Sequence, residues 1–138
     1  MIPLKKPCRS LVITHGTIGI EFKNVVEMIL GPTEGLDAMT NSGKSGSDIT
    51  REVAIWLDES LSDSGQCPSL IMIDDYAGSC ATAAQLAAKD RPDVAIVSGV
   101  NLAMLLGFVT WRDSSDFDDL VRKVVQKGRE AITMLGTR

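Results

Sequence analysis

Apolar runs of strand length alternate with helical patterns along this chain, and that alternation constrains the fold more than any other feature. Its sharpest instance is Leu11-Val12-Ile13-Thr14-His15-Gly16-Thr17-Ile18-Gly19. A run rich in β-branched residues stops at a polar Thr-His-Gly, and a helical pattern starts after it. This reads as a buried strand, a tight turn and a helix. In an open α/β sheet the crevice beyond the carboxyl ends of the strands is where chemistry is placed. His15, the one histidine in the chain, stands at that point.

The same punctuation repeats. The first strand covers about Arg9 to His15, and a helix follows over about Gly19 to Leu30, with Phe22, Val25, Val26, Ile29 and Leu30 at helical spacing. Gly31-Pro32 ends it. A second, weaker strand is predicted at Leu36 to Thr40, then a flexible loop, Asn41 to Gly46. Ser47 or Asp48 is positioned to cap a helix running to about Ser60, with Val53, Ile55, Trp56 and Leu57 facing inward. A polar connection from Ser62 to Pro68 leads to the clearest strand, Ser69-Leu70-Ile71-Met72-Ile73, which ends in Asp74-Asp75. Ser79 is expected to cap an alanine-rich helix to about Lys89. A fourth strand spans Asp93 to Val97, an apolar helix Val100 to Val109, and an amphipathic helix Phe117 to about Thr133. The pattern β-α-β-α-β-α-β-α-α implies an open, doubly wound, mainly parallel sheet of strand order 2-1-3-4. With 138 residues and neither a repeat nor an interdomain linker, residues 1–138 read as one domain.

Composition narrows the function. A net charge of −4 without any basic block argues against nucleic-acid binding, and an aromatic content of 4% argues against base-stacking platforms. No apolar run approaches the ~20 residues of a membrane span, so direct membrane insertion is not expected. The N-terminus lacks the apolar core of a signal peptide. Cys8, Cys67 and Cys80 are odd in number and widely spaced, which suits neither a disulfide framework nor a zinc site and points to a reducing cytoplasm.

In the order 2-1-3-4 the switch point falls between the first and third strands. It joins His15 to Asp74 and Asp75. A carboxylate that accepts a proton from one ring nitrogen fixes the tautomer and leaves the other nitrogen as base or nucleophile. Gly78-Ser79 opens the next helix, where free N–H groups bind anions. An imidazole, a carboxylate and an anion cradle together describe a phosphohistidine site, with His15 and Asp74 catalytic and Gly78 and Ser79 binding phosphate. Each motif alone has an ordinary explanation as a turn, a strand end or a helix cap. Strand alternation puts Met72 and Asp74 on one face, which favours Asp74 over Asp75 as the orienting carboxylate. The reading calls for no metal and no cofactor.

Four blocks in order resemble the mannose-type IIA component of the bacterial phosphotransferase system over nearly the whole chain. They are Thr14-His15-Gly16, Asp74 through Ala84, Ser98-Gly99-Val100-Asn101-Leu102-Ala103-Met104-Leu105, and Gly128-Arg129-Glu130. The resemblance implies that His15 accepts a phosphoryl group from phospho-HPr and passes it to a IIB component for sugar uptake or regulation. It implies that Asp74 holds Nδ1–H and that Nε2 attacks. It also implies a homodimer with an exchanged C-terminal strand, for which Ala131 to Leu135 are the available residues. Ala77, Cys80 and Ala103 depart from the family pattern, which has Gly, Pro and Pro there, and Asp75 adds a carboxylate that would repel phosphate.

Two rival classes stand beside this one. Ala38-Met39-Thr40-Asn41-Ser42-Gly43-Lys44-Ser45 loosely fits a P-loop, which would make the chain a nucleotide hydrolase. Ala38 replaces that loop's first glycine and Gly46 delays its helix, so a plain β-α loop is the better reading, with Lys44 near the crevice. The other rival is a non-catalytic regulatory binding module presenting Asp113, Asp116, Asp118 and Asp119. These aspartates also suit a solvated helix start. Cys80 reads as a small buried residue.

Overall fold

A computed structural model describes residues 7–59, 61–62 and 65–136. The elements are β1 (Arg9–Thr14), α1 (Ile18–Leu30), β2 (Leu36–Thr40), α2 (Gly46–Asp58), β3 (Leu61–Ser62), β4 (Gly65–Gln66), β5 (Ser69–Ile73), α3 (Ser79–Ala88), β6 (Val94–Ser98), α4 (Leu102–Trp111) and α5 (Phe117–Glu130). Four parallel strands form one sheet in the order β2-β1-β5-β6, which is the expected 2-1-3-4 order of the main strands. The short antiparallel pair β3-β4 lies in the stretch expected to be an irregular connection.

Residues alternate between two cores because successive strand side chains point to opposite faces. Leu11, Ile13, Ile71 and Ile73 pack with Ile49, Val53, Trp56 and Leu57 of α2 and with the alanines of α3. Val12, Leu70 and Met72 pack on the other face with Val26, Leu105, Phe108, Leu120 and Val124. The small side chains of α3 (Cys80, Ala81, Ala83, Ala84 and Ala87 are all buried) let that helix sit close to the sheet and to α2.

Several local expectations shift. Ile55 is 52% exposed rather than facing inward. It stands two residues from Val53, about 200° around the helix, whereas Trp56 and Leu57 follow at the three- and four-residue spacing. On α1 only Gly19 and Val26 are buried, while Ile29 and Leu30 are exposed, because α1 presents just one narrow stripe to the sheet. The cap of α2 is Ser45, not Ser47 or Asp48. Its hydroxyl accepts from the Asp48 N–H and the Asp48 carboxylate accepts from the Ser45 N–H, a reciprocal capping box. Gly78, not Ser79, caps α3. Asn101 caps α4, its side chain accepting from the Met104 N–H and donating to the Gly128 carbonyl of α5 at 3.1 Å. Helix α5 ends at Glu130, and Ala131 to Leu135 form no strand.

Candidate functional site

His15 follows directly on β1, so the sheet holds its Cα in place while the turn after it aims the ring. Gly16 has φ +61°, a conformation that costs glycine little and a branched residue much. Three contacts hold this turn. The Gly16 N–H donates to Asn41 Oδ1 at 3.0 Å, the Thr40 hydroxyl donates to the Gly16 carbonyl, and the Gly19 N–H donates to Thr14 Oγ1 at 2.8 Å. Sequence reasoning includes Thr14 in the histidine turn but misses the turn-holding roles of Thr14, Thr40 and Asn41. The available signal is register: β1 and β2 run in parallel with Thr14 opposite Thr40, so both ends open onto one crevice.

Asp74 follows β5 and reaches across that crevice from 59 residues away in sequence. Its Oδ2 accepts from the His15 backbone N–H at 3.1 Å and lies 3.0 Å from the ring Nδ1. The tautomer protonated at Nδ1 donates to that oxygen and leaves Nε2 a free lone pair. Burial pushes the Asp74 carboxyl up. The hydrogen bonds and charge from His15 outweigh this, and the group is held below the usual carboxylate range. Asp75 does not share this geometry: its side chain accepts from the Ala77 N–H in its own turn.

Nε2 faces Gly78. A Cβ built on Gly78 would lie 3.4 Å from Nε2, so the missing side chain leaves that approach open. Gly78 has φ +101° and lacks a side-chain cap, leaving the first-turn N–H groups of α3 without a side-chain acceptor. Ser79 is the first residue of that turn. The structure therefore brings together His15, Asp74 and Gly78, with Ser79 next to them on α3. The His15 side chain is 48% exposed and that of Asp74 21%, a crevice open on the imidazole side.

Cys80, in the same first turn, is fully buried, and burial followed by the negative charge of Asp74 raises its thiol pKa. An activated thiol requires the opposite shift. Lys44 is paired with α2, its Nζ lying 2.7 Å from Glu52. The hydroxyl of Ser45, which a P-loop would offer to a metal, is engaged in the capping box. Asp116 caps α5 through the Asp119 N–H, and Asp119 pairs with Arg122, so this part of the acidic cluster serves its own helix.

Strand order and switch-point crevice define a doubly wound α/β protein centred on a histidine–aspartate pair. Comparison with known proteins then identifies its kind. The family model described as PTS system fructose IIA component, EIIA-man, matches residues 10–125, and the chain belongs to this family of phosphotransferase-system proteins. It is 27% identical over 124 residues to the mannose-specific EIIAB component of Escherichia coli (strain K12), a match covering 88% of this chain and 38% of that relative. The chain thus spans well under half the length of the curated relatives it matches. Among solved structures it resembles the mannose/sorbose specific IIA subunit from Enterococcus faecalis, with a TM-score of 0.78 and 26% identity over 96% of this chain and 97% of that one. The EIIA component from Streptococcus agalactiae shares the fold at a TM-score of 0.82 and 22% identity, covering 92% and 96% of the two chains. Among the described residues no helix is long and apolar enough to cross a membrane.

Proposed function

We propose that this chain is a cytoplasmic phosphohistidine carrier of a sugar phosphotransferase system, acting as one IIA domain over residues 1–138. One observation carries the reading: Asp74 engages Nδ1 of His15 at 3.0 Å, leaving Nε2 facing the open first turn of α3. In the reaction Nε2 attacks the phosphorus of phospho-HPr, an N–P bond forms at His15, and HPr leaves as the bond to its own carrier group breaks. The N–H groups at Gly78 and Ser79 receive the phosphoryl oxygens, where helix N-termini favour negative charge. Asp74 keeps the proton on Nδ1 and offsets the positive charge that develops on the ring. A IIB component then takes the phosphoryl group by the reverse displacement. No step requires a metal or a cofactor.

The same reading includes a homodimer. Strand β6 is an edge of the sheet, and Ile132, Met134 and Leu135 beyond α5 are 82%, 77% and 92% exposed. An unpaired strand edge is a template for another chain, and an exposed apolar tail gains from burial. Exchange of this tail between protomers satisfies both.

The direct test is incubation with enzyme I, HPr and labelled phosphoenolpyruvate. Acid-labile, alkali-stable label is expected on the wild-type chain and none on His15→Ala. Full labelling of His15→Ala would remove His15 from the mechanism. ATP turnover without label on histidine would favour a nucleotide hydrolase instead.

A further inference from the structure

The crevice holds three potential ligands from three separate segments: His15 after β1, Asp74 after β5, and Cys80 in the first turn of α3. One ring nitrogen, one carboxylate oxygen and the Cys80 Sγ all lie within 4.8 Å of one another. We infer that these three side chains form a binding site for a thiophilic divalent cation, zinc above all, and that its occupancy is incompatible with phosphoryl acceptance at His15. The binding half stands on the donor geometry. The inhibitory half rests on the function proposed above.

Zinc bonds of ~2.0–2.3 Å at tetrahedral angles place donor atoms roughly 3.3–3.8 Å apart. The His15–Asp74 pair already stands at 3.0 Å. Closing the rest of the set, whose atoms lie within 4.8 Å, therefore takes at most about an ångström of side-chain movement, and the His15 side chain is 48% exposed on the side where it would move. An imidazole, a thiolate and a carboxylate form a mixed N, S, O set that suits zinc and its softer neighbours rather than magnesium or calcium, which prefer oxygen alone. Cys80 is fully buried while the His15 side chain is 48% exposed, so a fourth ligand would be water from the imidazole side. Without a cation the thiol stays protonated, so the site is not a standing thiolate nucleophile.

Binding releases the Cys80 proton to solvent as the S–metal bond forms. A cation on Nε2 occupies the lone pair that attacks phosphorus. A cation on Nδ1 takes the place of the ring proton, which moves to Nε2. Either way the nucleophile is lost, and one proton leaves per ion.

The test uses cobalt(II) as a spectroscopic stand-in for zinc, titrated into the metal-free chain. A thiolate-to-cobalt charge-transfer band saturating at one equivalent is expected, displaced by zinc and absent from Cys80→Ala. Phosphotransfer from purified phospho-HPr in chelator-treated buffer should be unchanged in Cys80→Ala, which also shows that the variant is folded. Zinc should then block wild-type labelling reversibly, with at least about a tenfold higher concentration needed for Cys80→Ala. A band that survives in Cys80→Ala and disappears in Cys8→Ala or Cys67→Ala would overturn the site, as would no band at all. If cobalt binds as described while no variant accepts phosphate, the proposed function fails and the metal site stands.

Discussion

At His15 a single carboxylate oxygen serves two donors, the backbone N–H and the ring Nδ1, so Asp74 fixes both the turn and the tautomer. Asp74→Asn replaces an acceptor that carries charge with a neutral amide, which tolerates the wrong tautomer. By analogy with serine-protease triads, the initial rate of phosphotransfer from phospho-HPr should fall about 10²-fold or more. Asp75→Asn should leave the rate near wild type or raise it, because that side chain bonds only within its own turn and adds negative charge beside the incoming phosphate. A crippled Asp75→Asn beside a normal Asp74→Asn would show that the orienting role is assigned to the wrong carboxylate. The contact itself is legible in part: strand alternation singles out Asp74, but the pleat does not show that its oxygen also reaches the His15 backbone. Asn41 and Thr40 escape the sequence altogether. Their role is to grip Gly16 from a neighbouring strand, and nothing local distinguishes them from ordinary loop residues.

Among the elements, α2 shows why helix starts are hard to place from spacing alone. Ser45, Ser47 and Asp48 are all competent caps, and the reciprocal pair Ser45–Asp48 prevails because it satisfies two backbone N–H groups at once. Ser45→Ala should cost about 1 kcal/mol, seen as a lower urea midpoint at unchanged slope. The Asp48 carboxyl is lowered chiefly by the hydrogen bonds from the Ser45 N–H and hydroxyl. Its folded-state pKa lies below its unfolded one, so its contribution is fully present above the ordinary aspartate range and is lost as pH falls through the lowered value. The stability difference between wild type and Asp48→Asn should therefore shrink on acidification below pH ~4 and be flat above pH ~6. A difference that grows in acid would reverse the sign of this linkage. At the other end of the chain Asn101 ties α4 to α5 through the Gly128 carbonyl, which gives two of the family-like blocks a packing role. A Cβ on Gly128 would meet Met104 at 2.6 Å, so the α4–α5 approach depends on that glycine.

At the scale of the whole molecule, a sheet edge lies at β6 and apolar surface is exposed after α5. The sheet ends at β6, and the residues after α5 expose Ile132, Met134 and Leu135. Sedimentation of the wild-type chain should give a dimer at micromolar concentration, and deletion of residues 131–138 should shift it toward monomer. A wild-type monomer under those conditions would remove the dimer from the proposal and leave the fold untouched. Helix α1 also keeps Met28, Ile29 and Leu30 exposed, so the helical apolar pattern there does not translate into a buried face.

The sequence by itself determined the β-α alternation, the positions of the four main strands and the residue types gathered at their carboxyl ends. Parallel strands buried on both faces must be apolar throughout and must stop at polar residues, and that contrast survives in one dimension. Strand order followed because right-handed crossovers admit few arrangements. Only the tertiary structure decided that the Asp74 oxygen also reaches the His15 backbone N–H, which of three residues caps α2, and that Cys80 joins His15 and Asp74 in one cup. The contacts around His15 depend on ångström-scale distances between segments some sixty residues apart, on which local spacing carries no information, whereas the α2 cap is a local competition that the reciprocal Ser45–Asp48 pair wins.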